Sequence, residues 1–389
     1  MIEVKNSATD DSVSKLNLKY EPRRLQVKAR SNFSTPVRSI TDRDYENNRS
    51  STSRLKLPDY VSNLTIYYGL EQLSSLLKIN GYLRELREKI GRFMRSALNS
   101  PVRMLALRIE PQEAYQALSR KEYIERFIRF ISYVQEPMGT VSLPYFMSDS
   151  IKIDDLYTEF TRTFENPVIW LRMDEGEDAF RARVDSIKKL VKEGRLSLLG
   201  VHYADYVNSS VNYDYLYQNL HDLDVLMLLE GITRKDKDTS LSSVHIYPFA
   251  SFDALSPYKK VSTPGEKGGY GVSKPSGNFF IRKDITLRPL KEVGYLDEVF
   301  GAYKGSPVYQ LINEILSLDP NKKVDPQDRV TKRKLQQLQA FSYVHQAMEG
   351  GLEMQLISDS INKKDVMTYL VSKDILDKKV TQTFPKKEK

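Results

Sequence analysis

Cysteine is absent from all 389 residues. Its absence removes disulfides, thiolate nucleophiles, cysteine-bound zinc and iron–sulfur ligation by residue type alone. Long apolar runs are missing too. Stretches such as residues 225–229 fall far short of the roughly 20 residues needed to cross a bilayer, so no membrane partner is expected. Residues 1–30 are polar and contain no apolar signal core, which makes the cytoplasm the expected compartment. No Gly-x-Gly-x-x-Gly follows the early apolar runs and no Gly-Lys-Ser/Thr loop occurs, so both common nucleotide fingerprints are lacking. There is no repeat of fixed period and no sustained heptad.

What is there fits a folded α/β protein. Apolar residues make up 40%, aromatics 10% and charged residues 28%, enough for a deep core in a chain of this length. The net charge of +8 is uneven: residues 1–56 and 321–389 each carry +5, and the middle carries −2. Basic ends suit contact with a polyanion, and equally a role in solubility. Residues 1–56 are rich in Ser, Thr, Asn, Asp and Arg, and a segment of that composition is expected to be disordered alone.

From about residue 62 short apolar runs alternate with amphipathic stretches, the pattern of repeated strand–helix units. The strands predicted are 64–68, 103–109, 141–145, 168–173, 196–201, 225–229, 244–247 and 279–285. Eight strands separated mostly by helices favour a (β/α)8 barrel-like core over an open doubly wound sheet. The expected division is a tail (1–56), the α/β domain (57–290) and a helical C-terminal region (291–389).

In a barrel, chemistry sits where strands end. Glu110, Asp149, Asp174, Glu175, His202, Asp205, Glu230 and Asp253 follow expected strands, and His245 lies within one. Asp149, Asp174, Glu175 and Glu230 are the candidates for acid, base or nucleophile, and paired carboxylates are the equipment of glycosidic-bond chemistry. The competing explanation for Asp174 and Glu175 is a negative charge favoured at a helix start. His202, Asp205 and His245, with Glu230, offer nitrogen and oxygen donors for a divalent metal, the candidate cofactor. A strand histidine also serves as an ordinary core residue. Residues 256–280 hold five glycines, three prolines and four lysines. Within them Lys259, Lys260, Lys267, Gly268, Gly269 and Lys274 suit either phosphate binding or a ligand-free surface loop. Tyr203, Tyr206, Tyr213, Tyr215 and Tyr217 could stack bases or pack a helix.

A barrel with basic appendages resembles, in outline only, the tRNA-guanine transglycosylase type of base-exchange enzyme. That family's cysteine zinc site and Asp-Ser-Gly-Gly motif have no counterpart here, so no residue is carried across. The expected function is an enzyme acting on a phosphate-bearing ligand, a nucleotide or nucleic acid, by carboxylate acid–base chemistry. The alternative is a non-catalytic nucleic-acid-binding or assembly protein that uses its basic ends.

Overall fold

The computed structural model describes residues 1–11, 13, 18–51, 55–78, 81–109, 118, 120–146, 151–233, 242–258, 277–294, 297–317, 328–373 and 376–385. The chain opens with β1 (Glu3–Thr9), β2 (Arg23–Lys28) and β3 (Phe33–Ser34), which form a small antiparallel sheet. Next come β4 (Val37–Arg38), β5 (Ile40–Thr41) and α1 (Asp42–Ser50). Thr41 and Asp44 cap α1 reciprocally, each side chain accepting from the other's backbone N–H.

Strand–helix alternation then takes over. It runs β6 (Val61–Tyr68), α2 (Leu70–Lys78), α3 (Gly81–Ser96), β7 (Val102–Ile109), α4 (Lys121–Gln135), β8 (Val141–Leu143) and α5 (Ile153–Thr163). It continues through β9 (Pro167–Arg172), α6 (Glu177–Lys192), β10 (Leu198–His202), α7 (Tyr206–Leu220), β11 (Leu226–Ile232) and β12 (Ala254–Pro257). The strands pair in parallel, six in the order β4-β12-β11-β10-β9-β8 and three in the order β5-β6-β7. β10 and β11 are buried along their whole length, as parallel strands covered on both faces must be.

Hydrogen bonds join the two sheets at two places. Only Ser39 separates β4 from β5; its N–H donates to Leu255 O at 2.9 Å, and its hydroxyl donates to Val61 O at 3.2 Å. On the far side Leu105 N–H donates to Ser142 Oγ at 3.3 Å, and Thr140 Oγ1 donates to Arg103 O.

Between the strands, Trp170 is fully buried. A Cβ on Gly200, its in-register neighbour, would lie 2.3 Å from the indole, so only glycine leaves room for that ring. Gly200→Ala is expected to cost about 1–3 kcal/mol through overpacking, read as a lower urea midpoint; an unchanged midpoint would refute this account of the site.

The C-terminal part comprises β13 (Asn278–Ile281) and β14 (Thr286–Pro289), an antiparallel pair, then α8 (Leu290–Val293), α9 (Asp297–Phe300) and α10 (Pro307–Leu316). The 35-residue α11 (Arg329–Lys363), α12 (Val366–Val371) and α13 (Leu376–Thr383) complete it. Phe279, Phe300, Leu311, Leu335 and Phe341 belong to a second apolar cluster, whereas Val344, Met354 and Ile361, further along α11, join the main core. Among the described residues no helix is long and apolar enough to cross a membrane.

Two expectations need correction. Residues 244–247 form 3-10 turns rather than a strand, with Pro248 in the second turn, and the strand beside β11 is β12. Residues 279–285 enter a hairpin that packs on the C-terminal helices. Within residues 1–56, expected to be disordered on their own, Leu25, Val27, Val37 and Ile40 are buried. Those apolar residues are too scattered to make a core of their own, but they find one on the parallel sheet.

Candidate functional site

The apolar strands turn polar at their carboxyl ends. Arg172, His202, Glu230 and Ser256 are in-register partners across β9, β10, β11 and β12. Register partners in a parallel sheet project to the same face, so adjacency of the strands assembles the group.

Glu230, 1% exposed, is its centre. Its carboxylate accepts Thr65 Oγ1–H from β6 at 3.0 Å, pairs with the Arg108 guanidinium from β7, whose Nε lies 3.1 Å away, and lies 3.1 Å from His202 Nδ1. Thr65 accepts from Asn63 Nδ2 at 3.2 Å, and Asn63 Oδ1 accepts from Ser39 Oγ at 2.8 Å. This hydrogen-bonded chain runs from the β4–β5 junction through β6 to β11 and so ties the two sheets together.

The electrostatics follow from that geometry. Burial alone would raise the Glu230 pKa, but Arg108 and the hydrogen bonds from His202 and Thr65 outweigh it and hold the carboxyl below its ordinary range. His202 is pushed down to about 4, first by burial and then by Arg108 and Arg172, against the pull of Glu230. Its ring is therefore neutral near pH 7. Nδ1 faces two groups, accepting Arg108 Nε–H at 3.2 Å in one tautomer and donating to Glu230 at 3.1 Å in the other; a charged acceptor makes the stronger hydrogen bond, which favours the second. Nε2 is then a lone pair, and it is buried with no partner among the described residues, as is Ser256 Oγ. The His202 ring stacks on Trp170, with centroids 4.6 Å apart and planes 21° off parallel. Burial pushes the Tyr67 hydroxyl up to about 12, although Arg108, whose guanidinium lies over the ring at 5.8 Å, opposes it.

Asp174 stands at the rim, half exposed and gripped by Arg172 through Nε at 3.0 Å and Nη2 at 2.8 Å. That fork holds its carboxyl below the usual range. Glu175 does something else: it is buried against Arg183 Nε at 2.8 Å, and Arg183 also reaches Tyr157 Oη and Phe146 O, a clasp that seats α6. Beyond Glu230 and Ser256, where β11 and β12 end, a cavity of about 290 Å³ is lined by Arg38, Ser242, Ser243, His245, Tyr258 and Gln346, among others. This lies just below the size of typical small-molecule pockets.

Among the described residues no three His, Asp or Glu side chains are placed to hold a metal ion. His245 has both nitrogens engaged, Nδ1 with Ser242 Oγ at 2.9 Å and Nε2 with Gly350 O at 3.1 Å. Asp205 occupies the N-cap position of α7. Asp253 lies at the opposite, amino end of β12, paired with Arg23. Glu110, Asp149, Lys259, Lys260, Lys267, Gly268, Gly269 and Lys274 lie outside the described residues. Arg108, Arg172 and Thr65 were not anticipated; an arginine closing an apolar run, as in Ala106-Leu107-Arg108 and Trp170-Leu171-Arg172, is the signal that marks two of them. No protein-family model matches this chain, and a search of curated proteins finds no match to it.

Proposed function

We propose that β4 and β5 act as one strand in a closed eight-stranded barrel, and that the cluster at its carboxyl ends is the active site of an enzyme. Its substrate carries phosphate, as a nucleotide or nucleic acid does. Closure is supported by the hydrogen bonds of Ser39 to the neighbours on both sides, by the Leu105–Ser142 contact, and by Thr65 meeting Glu230. An open sheet would give those groups no reason to meet.

The observation that carries the enzymatic reading is the Glu230–His202 pair, with Nε2 unpartnered and two arginines beside it. Ionised Glu230 orients the imidazole and would stabilise the imidazolium that forms when Nε2 takes a proton from a nucleophile. Arg108 and Arg172 provide positive charge for a phosphate or a developing oxyanion. Glu230 and Asp174, both held ionised, act here as base partner and electrostatic group rather than as proton donors.

The test is a thermal-shift series with inorganic phosphate, nucleoside monophosphates and short single-stranded DNA. At 100-fold excess over Kd a ligand adds about 2.7 kcal/mol of stability, so a rise in Tm is expected with at least one of these. Arg172→Gln is expected to abolish the rise, and because Arg172 is partly exposed the unliganded Tm should hardly move. A rise that survives the substitution, or none with any probe, discards the reading.

A further inference from the structure

The outer face formed by α3 and α4 has a charge balance unlike an ordinary solvated helix pair. With Arg120 it carries nine basic side chains, seven of them arginine, against four glutamates. Three glutamates are committed to i,i+4 pairs: Arg84–Glu88 at 3.1 Å, Lys89–Glu85 at 2.7 Å and Lys121–Glu125 at 3.7 Å. Arg87, Arg92, Arg95, Arg120, Arg126 and Arg129 have no ion-pair partner among the described residues. Three of these lie over aromatic rings: Arg87 over Tyr133 at 5.4 Å, Arg120 over Tyr123 at 5.8 Å and Arg126 over Phe130 at 5.3 Å. Tyr133 is 54% exposed and Tyr123 38%.

One edge of the face adds an independent observation. Arg103 reaches Met94 Sδ on α3 at 3.6 Å, and its Nε is buried with no partner among the described residues. Arg30 donates to Leu98 O at 3.2 Å just past the end of α3, and after burial its charge pushes the Arg103 guanidinium pKa down. Among the described residues neither arginine has an ion-pair partner, which leaves room for a counter-charge from another molecule.

We infer that the α3–α4 face binds single-stranded nucleic acid, its arginines taking phosphates and its exposed tyrosines stacking bases. Arginine rather than lysine is the side chain suited to phosphate geometry, and aromatic rings interleaved with positive charge are the equipment of sequence-tolerant single-strand binding. Apart from Arg30 at its edge, this surface is distinct from the basic ends of the chain. It is also distinct from the strand-end cluster, so it stands whether or not that cluster is catalytic.

The experiment follows fluorescence anisotropy of a labelled oligothymidylate across a sodium chloride titration. The full chain, Arg92→Glu/Arg95→Glu/Arg129→Glu, Tyr133→Ala and, as the competing basic end of the sequence, Lys386→Glu/Lys387→Glu are compared; all of the mutated helix positions are exposed. Each lost phosphate contact removes about 0.7 from the slope of log K against log salt on a single strand, so the triple variant is expected to flatten it by about 2. Affinity at low salt should fall about tenfold or more with it, and Tyr133→Ala should weaken binding about tenfold without changing the slope. Absence of binding by the full chain, full retention by the triple variant, loss confined to the C-terminal lysine variant, or preference for duplex of the same length would each overturn the inference.

Discussion

Replacing Arg23 with Met is expected to lower stability by about 3–5 kcal/mol, the usual cost of leaving a buried charge without its partner. Arg23 and Asp253 have fully buried side chains joined by a fork, Nη2 to Oδ2 at 2.6 Å and Nε to Oδ1 at 3.1 Å. The guanidinium also donates to the carbonyls of Leu220, His221, Leu223 and Val225. Asp253 accepts in addition from Met227 N–H at 2.8 Å and Thr35 Oγ1 at 3.4 Å. One side chain of β2 thus closes the end of α7, the turn before β11 and the start of β12. Met fills much of the space but satisfies none of those acceptors. A urea titration reads the loss, and hydrogen exchange should quicken first in β1 and β2. The double variant Arg23→Met/Asp253→Leu separates desolvated charge from lost packing, because a pair replaced by apolar residues is often close to neutral. If the double variant is no more stable than the single, buried charge is not the cause and the ion-pair account of this anchor fails.

That anchor shows why part of the fold was hidden in the sequence. Six of the expected strands lie on or near β6 to β11 because each is a short, predominantly apolar run, the signature of a strand buried on both faces. β4 and β5 were invisible: Val37, Arg38, Ser39, Ile40 and Thr41 make a short polar string whose burial depends on neighbours far along the chain. β12 was equally obscure, being four residues that include Ser256 and Pro257. Residues 244–247 have strand-like composition, but the chain there turns in 3-10 geometry into Pro248.

For the site, position after a strand was enough to single out His202 and Glu230, and charge type was enough for Asp174. Their convergence was not legible, because it depends on β10 lying beside β11 in a register that pairs His202 with Glu230. The arginines were missed for a related reason. Arg108 and Arg172 read as solvated charges until strand order places Glu230 and Asp174 against them.

Acidification is expected to unfold the protein before most of its carboxylates titrate. All four histidines are buried, none more than 5% exposed, and burial pushes each of them down to about 4. His345 sits among Phe279, Phe300, Tyr303 and Phe341, while His221 lies against Tyr217 with Nδ1 on Ser251 Oγ at 2.6 Å. An unfolded histidine titrates near 6.5, so between about 6.5 and 4 the unfolded chain takes up protons that the native state refuses. A depressed folded pKa means stability is full above the unfolded value and is lost as pH falls through this window. At 1.36 kcal/mol per unit, four such groups remove on the order of 10 kcal/mol, comparable to the whole stability of an ordinary domain. Glu230 and Asp174, with lowered pKa values, push the same way at lower pH. Glu21, Asp59, Asp253 and Glu349, raised first by burial, work in the opposite sense. Trp170, the single tryptophan, reports directly because it is buried and stacked on His202. Its fluorescence and the circular dichroism are expected to show unfolding as pH falls from 6.5 toward 4. In His345→Phe the pH dependence of stability should weaken by about one proton, roughly 1.4 kcal/mol per pH unit at its steepest. A protein that keeps its full stability at pH 4.5, or a variant with an unaltered slope, would show that these rings are not held neutral by the fold.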